Sequence, residues 1–284
     1  LWNIARFILL QIEANEPGVT DTLADQWIKA RLQTTIASVT KKLQSYQFSS
    51  AGEELRDFTW GDLADWYLEI AKVEKGKAPL LQEILRTVLT LWHPFMPFVT
   101  EHIWQIAGFE GQLIIAEWPA IETSTRENEN ITLFESLRTL VTDARRLRAE
   151  QGVEVTRSLA YSYQASAEIA TVIDGNRSWM LRLLNASTLE LVPSIPTNWV
   201  SSSSGSILIG FDPLGAMDVA KEKEKAQKEL TEIQAYLKSL EAKLANQEFV
   251  GKAPAHVIEG MKSKFTEAQA KEKTLQERLQ LLGA

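Results

Sequence analysis

The 284-residue chain contains no cysteine. Disulfides, thiolate zinc sites, iron–sulfur clusters and cysteine nucleophiles are excluded, and a reducing, cytoplasmic setting is expected. Histidine is scarce, being confined to His93, His102 and His256. A histidine-rich metal site or a Ser-His-Asp triad therefore has few places to form. No uninterrupted apolar run approaches the roughly 20 residues that cross a bilayer, so no membrane association is expected. The early run Ile4 to Leu10 is broken by Arg6, and a secretory leader pattern is lacking. The start at Leu1-Trp-Asn, without Met, reads as a piece of something longer. Positive charge is also not in excess, since the net charge is −7. Any binding to nucleic acid must use local patches against a repulsive background. Gly-rich phosphate loops of the GxGxxG or GxxxxGK type are missing, as is HExxH.

What is present is an ordinary globular composition, 45% hydrophobic and 24% charged. The length suits two or three domains. Residues 1–119 read as an antiparallel helical bundle. Leu1, Ile4, Phe7/Ile8 and Ile12 have helical spacing. A second run holds Leu23, Trp27, Ile28, Leu32, Ile36, Val39 and Leu43, with Thr20 or Asp21 as its expected N-cap. A third holds Phe58, Trp60, Leu63, Trp66, Tyr67 and Ile70. A fourth, from about Pro79 to Leu91, meets Pro94 and Pro97, which must interrupt the helix before it resumes at Val99. Residues 120–130 are polar and read as a linker. Residues 131–212 read as a small α/β region, with a helix over Leu133 to Leu147. Strands are expected at Leu159–Tyr163, Leu189–Val192 and Ile207–Phe211, and Ser201-Ser-Ser-Ser-Gly as a turn or mobile loop.

Residues 213–284 carry two heptad series, Leu230–Leu244 and Ile258–Leu282, around a break at Phe249-Val-Gly-Lys-Ala-Pro. This predicts an antiparallel coiled-coil hairpin. Glu272 falls on the seam, where it weakens the hairpin or fixes its register. Residues 216–284 carry 12 Lys+Arg against 11 Asp+Glu, leaving 18 against 26 for the rest of the chain. The arm is thus the less acidic part.

Local chemistry leaves two readings open. Arg145, Arg146 and Arg148 end a helix, where cations complement its dipole, but three arginines in four positions also make a phosphate-binding patch. Lys252, Lys262 and Lys264 cluster near the hairpin tip and matter only if that tip meets phosphates. Most of the nine tryptophans fall on apolar periods and are expected in the core. His93 and His102 read as helix-end or core-edge residues.

Four stretches in order resemble the region that follows the catalytic domain in class I aminoacyl-tRNA synthetases of the valine/isoleucine/leucine group. They are Leu1-Trp-Asn-Ile-Ala-Arg-Phe-Ile-Leu-Leu, Leu23-Ala-Asp-Gln-Trp-Ile-Lys-Ala-Arg-Leu, Phe58-Thr-Trp-Gly-Asp-Leu-Ala-Asp-Trp-Tyr-Leu-Glu-Ile-Ala-Lys and His93-Pro-Phe-Met-Pro-Phe-Val-Thr-Glu-His-Ile-Trp. Leu244-Ala-Asn-Gln-Glu-Phe-Val-Gly-Lys-Ala-Pro-Ala-His-Val-Ile, inside a helical hairpin, is similar to the C-terminal arm of valyl-tRNA synthetases. Isoleucyl enzymes commonly end instead in a cysteine-bearing zinc module. The resemblance covers essentially the whole chain.

The resemblance implies an anticodon-binding bundle, a small α/β region and a coiled-coil tRNA-binding arm. It implies tRNA(Val) as partner, together with upstream catalytic and editing domains of the same polypeptide, in a monomer. The family's HIGH-type motif needs two histidines three apart, a spacing this chain lacks. Met261-Lys-Ser-Lys is similar to the KMSKS-type motif but sits within a heptad series. ATP therefore belongs to the parent enzyme. This stretch is expected to hold no catalytic residue, metal or cofactor, and to be inactive alone. By resemblance an anticodon base stacks on Phe7, with Asn3 and Arg6 nearby, and Trp66 to Glu69 offers a further surface. The arm resembles one that lies against the outer corner of the tRNA, and its length suits that: about 28 helical residues at 1.5 Å each reach roughly 40 Å. The competing reading is a coiled-coil protein-interaction scaffold, because apolar heptads often join two chains.

Overall fold

The computed structural model describes residues 1–121, 129–213, 219–245 and 255–281. The protein is mainly α-helical with one small mixed sheet. It divides into two compact units, Leu1–Phe211 and Asp212–Ala284.

In the first unit α1 (Trp2–Ala14) and α2 (Leu23–Gln44) form where the 3.6-residue period places them. The N-cap of α2 is Thr22, rather than Thr20 or Asp21. Its N–H donates to Asp25 Oδ2 at 3.0 Å, and Asp21 instead takes a positive φ of 58°. The third stretch is α3 (Phe48–Arg56), a π-helical segment (Asp57–Tyr67) and the short α4 (Leu68–Ala71). Within the π segment Phe58, Asp62, Leu63, Trp66 and Tyr67 are buried. With Thr59 they form two rows stepping by four, Phe58–Asp62–Trp66 and Thr59–Leu63–Tyr67, wider than the 3.6-residue α period. The wide turns leave Trp60 exposed, edge-on to Trp92. The prolines interrupt the helix as expected, α5 (Ala78–Trp92) stopping before Pro94, but α6 (Pro97–Ile106) starts on Pro97 rather than at Val99.

The expected linker largely coincides with residues 122–128, outside those described. Next comes α7 (Glu129–Glu150), and then the small sheet. Its strands are β1 (Leu159–Gln164), β2 (Ala186–Leu191), β3 (Val200–Ser204) and β4 (Ile207–Phe211). The order is β2-β1-β4-β3, with β1–β2 parallel and the other pairs antiparallel. The parallel pair needs a crossover, supplied by α8 (Ala167–Gly175) and α9 (Arg177–Leu184).

The serine run read as a loop is in fact β3. It pairs from Val200↔Phe211 to Ser204↔Ile207 across the two-residue turn Gly205-Ser206, with Gly205 at φ 60°. A hairpin turn of this length needs positive φ, and β4 supplies the pairing that serine's weak β-propensity does not.

The helical and sheet regions are one unit because three rings run between them. Trp27 of α2 stacks on Phe134 of α7 with centroids 4.4 Å apart, and Phe134 meets Trp179 of α9 at 5.6 Å. All three are fully buried, so truncating any one would cost about 3–5 kcal/mol.

In the second unit α10 (Val219–Ala245) packs on α11 (Ala255–Leu281). Ala226, Leu230, Leu275 and Leu279 form a buried cluster with Ile233 against it. The seam residue Glu272 is hydrogen-bonded, accepting from Gln234 Nε2 at 2.9 Å. The expected break at Phe249–Pro254, and Leu282, lie outside the described residues.

Candidate nucleic-acid interface

On α1, Asn3 and Arg6 are exposed one turn apart, and Phe7 beside them is half-buried. The inner face of α1 (Ile4, Ala5, Ile8) is fixed in the core, so these three side chains hold a set position. Lys72, just past α4, places its Nζ 5.4 Å from the Phe7 ring centroid. This is cation–π distance. Lys72 also pairs with Glu69, three residues earlier. Glu69 Oε2 in turn lies 3.6 Å from Arg182 Nη2 of α9. A row thus runs Phe7, Lys72, Glu69, Arg182, across three separated stretches of chain.

Trp66, expected on this surface, is 7% exposed. Its ring is covered by the guanidinium groups of Arg138 and Arg145, at 5.3 and 5.6 Å from its centroid. Trp66 therefore supports the arginines and presents no free face for stacking.

The arginine patch does not exist as a patch. A helix turns about 100° per residue, so positions 145, 146 and 148 cannot share one direction. Arg145 donates its Nε to Leu183 O at 2.9 Å, and burial lowers its pKa. Arg146 points elsewhere, to Asp143 (3.2 Å) and Glu150 (3.1 Å). Arg148 is 6% exposed. It donates to Leu184 O at 3.3 Å and Val155 O at 3.1 Å, and also to the carbonyls of Glu154 and Arg157. Arg148 is a structural clamp, and the phosphate-binding expectation for it is corrected. Lys262 and Lys264 are exposed on α11, and Lys252 lies outside the described residues.

Sequence reasoning missed Lys72 and Arg182. Lys72 had a weak local signal, an i,i+3 pair with Glu69. Arg182 had none, because only folding brings α9 to the third helical stretch. Arg138 was also missed. It bridges Asp62 of the π segment at 3.0 Å. Asp62 is 5% exposed and also accepts from Arg31 Nε at 2.8 Å.

The histidines do local work. His93 Nδ1 is 2.9 Å from Thr100 Oγ1 across the proline break, and His102 stacks on Trp2 at 5.8 Å. Among the described residues no group of three or more His, Asp or Glu is placed to hold a metal ion. Among the same residues no helix is long and apolar enough to cross a membrane.

This geometry, an aromatic and cations on one helical face of the first unit, together with a second unit made of two helices, has a counterpart among known families. Residues 25–161 match the anticodon-binding domain of tRNA ligases, and residues 218–283 match the valyl tRNA synthetase tRNA binding arm. The chain is 34% identical over its full length to the valine–tRNA ligase of Carboxydothermus hydrogenoformans. It is 31% identical over 98% of its length to that of Bacillus subtilis, and 32% over 98% to that of Anoxybacillus flavithermus. In all three the match covers 34% of the relative, so the chain spans about a third of their length. Its class is that of tRNA-ligase anticodon-binding regions. More particularly, the chain belongs to the valyl-tRNA synthetase family.

Proposed function

We propose that this chain is the tRNA-binding C-terminal region of a valine–tRNA ligase, specific for tRNA(Val). It recognises the anticodon with the α1 face and the tRNA outer corner with the α10–α11 arm, which forms an antiparallel coiled-coil hairpin. The observation that carries this reading is the Phe7–Lys72–Glu69 row. Anticodon bases are single-stranded and can be splayed onto an aromatic face. Phe7 offers a half-buried ring with Lys72 Nζ over it, and Asn3 and Arg6 offer donors for base edges. The pairing of Gln234 with Glu272 and of Leu230 with Leu275 and Leu279 supports opposed helix directions in the arm. Lys262 and Lys264 meet phosphates there, as does Lys252, and Arg145 and Arg146 meet them on the first unit.

The three regions, 1–119, 131–212 and 213–284, then serve as anticodon reader, connecting α/β element and arm. Valine activation with ATP belongs to an upstream catalytic domain of the longer polypeptide, which also carries an editing domain. The protein acts as a cytoplasmic monomer. The test is binding of tRNA(Val) transcript to the 284-residue chain by filter retention. Phe7→Ala should weaken binding about tenfold, within the 1–3 kcal/mol of one stacked base. A transcript with a changed anticodon should lose the same amount. Affinity indifferent to both changes refutes the assignment of the α1 face.

A further inference from the structure

Residues 162–217 lie between the two matched models, and nothing above gives them a task beyond connection. Within this stretch Arg182, Leu183 and Asn185 nonetheless form one wall of a cleft of about 540 Å³. Glu69 of α4 and Arg145 of α7 line one side, and Arg182, Leu183 and Asn185 line the other. All of them belong to the same compact unit. We propose that this cleft binds one phosphodiester of the RNA strand whose neighbouring base stacks on Phe7, with Arg145 and Arg182 as its guanidinium ligands. The proposal rests on the RNA-binding reading of the α1 face and adds a second contact to it.

Four observations carry it. Arg145 is held by two restraints, its Nε on Leu183 O at 2.9 Å and its plane over the Trp66 ring at 5.6 Å. These set the Nη edge of the fork, the edge that binds phosphate oxygens. Arg182 is 47% exposed, and its 3.6 Å approach to Glu69 is too long for a hydrogen bond. It is a cation held near its place yet free to take a stronger ligand.

The C-terminus of α9 would ordinarily repel an anion. Here Arg145 covers Leu183 O, and both residues line the cleft, so its wall shows a guanidinium in place of that carbonyl. The lining carries two arginines against one carboxylate, and Asp65 also acts on Arg145, so cations are at least balanced here in a chain of net charge −7. Continuity supplies the ligand's identity. Glu69 lines the cleft and also pairs with Lys72, whose Nζ faces Phe7. An anion in the cleft and a base on Phe7 are therefore adjacent steps along one strand.

The experiment uses the full chain and tRNA(Val) transcript. Arg182→Ala should weaken binding about five- to tenfold and reduce the slope of log affinity against log salt by about 1. Arg182→Lys should keep the slope and recover part of the affinity. Phosphate-ethylation interference should mark one anticodon-loop phosphate, lost in Arg182→Ala and retained in Phe7→Ala. Melting curves of the variants should match wild type, because Arg182 is half-exposed. An unchanged salt slope, or interference confined outside the anticodon loop, overturns the proposal. If Phe7→Ala weakens binding and Arg182→Ala does not, the cleft assignment fails while the α1 reading stands. If wild type retains no transcript, both fail. If an acidic peptide displaces the transcript at equal charge concentration, the cleft is a protein site and the proposal is overturned.

Discussion

Lys77 Nζ lies 2.8 Å from Asp25 Oδ2, with both side chains 3% exposed. The pair joins the start of α5 to the start of α2. Asp25 also accepts from Tyr67 Oη at 2.7 Å and from Thr22 N at 3.0 Å. Lys77 also donates to Thr22 Oγ1 at 2.9 Å and pairs with Glu74 at 2.9 Å. A fully partnered buried network of this kind tolerates poorly the loss of one member. Lys77→Met leaves Asp25 charged and buried, and should lower unfolding free energy by roughly 3–5 kcal/mol. Urea unfolding followed by tryptophan fluorescence measures it. A loss below 1 kcal/mol would mean that the pair is solvated in solution.

The same network makes a pH prediction. Burial, then the Asp25 charge and its hydrogen bond, push the Tyr67 hydroxyl far above its usual value. The folded state therefore holds this proton more tightly than the unfolded chain does. Its stabilising contribution is complete below about pH 10 and shrinks as pH rises beyond it, because the unfolded state then ionises first. Tyr67→Phe should flatten the alkaline loss of stability. Burial also raises Tyr161 and Tyr163, so an ultraviolet titration of the folded protein should show fewer ionising tyrosines than the unfolded protein, and Tyr67→Phe should shrink that difference by one. Equal alkaline slopes for wild type and Tyr67→Phe would contradict this account.

The arm offers a third test. Its buried cluster is small, and the seam carries Glu272. Units with few buried apolar contacts open first. Calorimetry should show the second unit melting below the first. Leu275→Ala should lower that first transition by an amount equivalent to about 2 kcal/mol and leave the later one in place. Glu272→Leu should raise it. A single transition shifted by either change would show that the units melt together.

A fourth test concerns the sheet. A Cβ built on Gly210 would lie 2.6 Å from Val200 O and 3.1 Å from Ser201 Cβ. Gly210→Ala should therefore push β3 off β4. Amide exchange of residues 200–204 should accelerate strongly while β1 and β2 stay protected. Undisturbed protection in β3 would show that the edge strand shifts without breaking.

The contrast between β3 and α2 explains what could be read in advance. The α2 core residues repeat at the helical period over a long stretch, so the element is encoded locally. β3 is a run of serines whose structure is imposed by β4 and by the turn at Gly205. The π segment misleads in another way, because its apolar residues suit an α period nearly as well as a wider one. At the site, Asn3, Arg6, Phe7 and Glu69 were found through resemblance to a family. Lys72 and Arg182 join them only through tertiary contact. Arg145, Arg146 and Arg148 were misgrouped because closeness in sequence is not closeness around a helix.

One helix, α7, has a consequence for how this protein can be divided. Phe134 on it is wedged between Trp27 and Trp179, and Glu135 accepts the Trp27 indole N–H at 2.7 Å. A cut on either side of α7 would strand an apolar stripe in water on whichever piece kept it. Cut from one another, neither the helical stretches nor the small sheet of the first unit keeps a closed core.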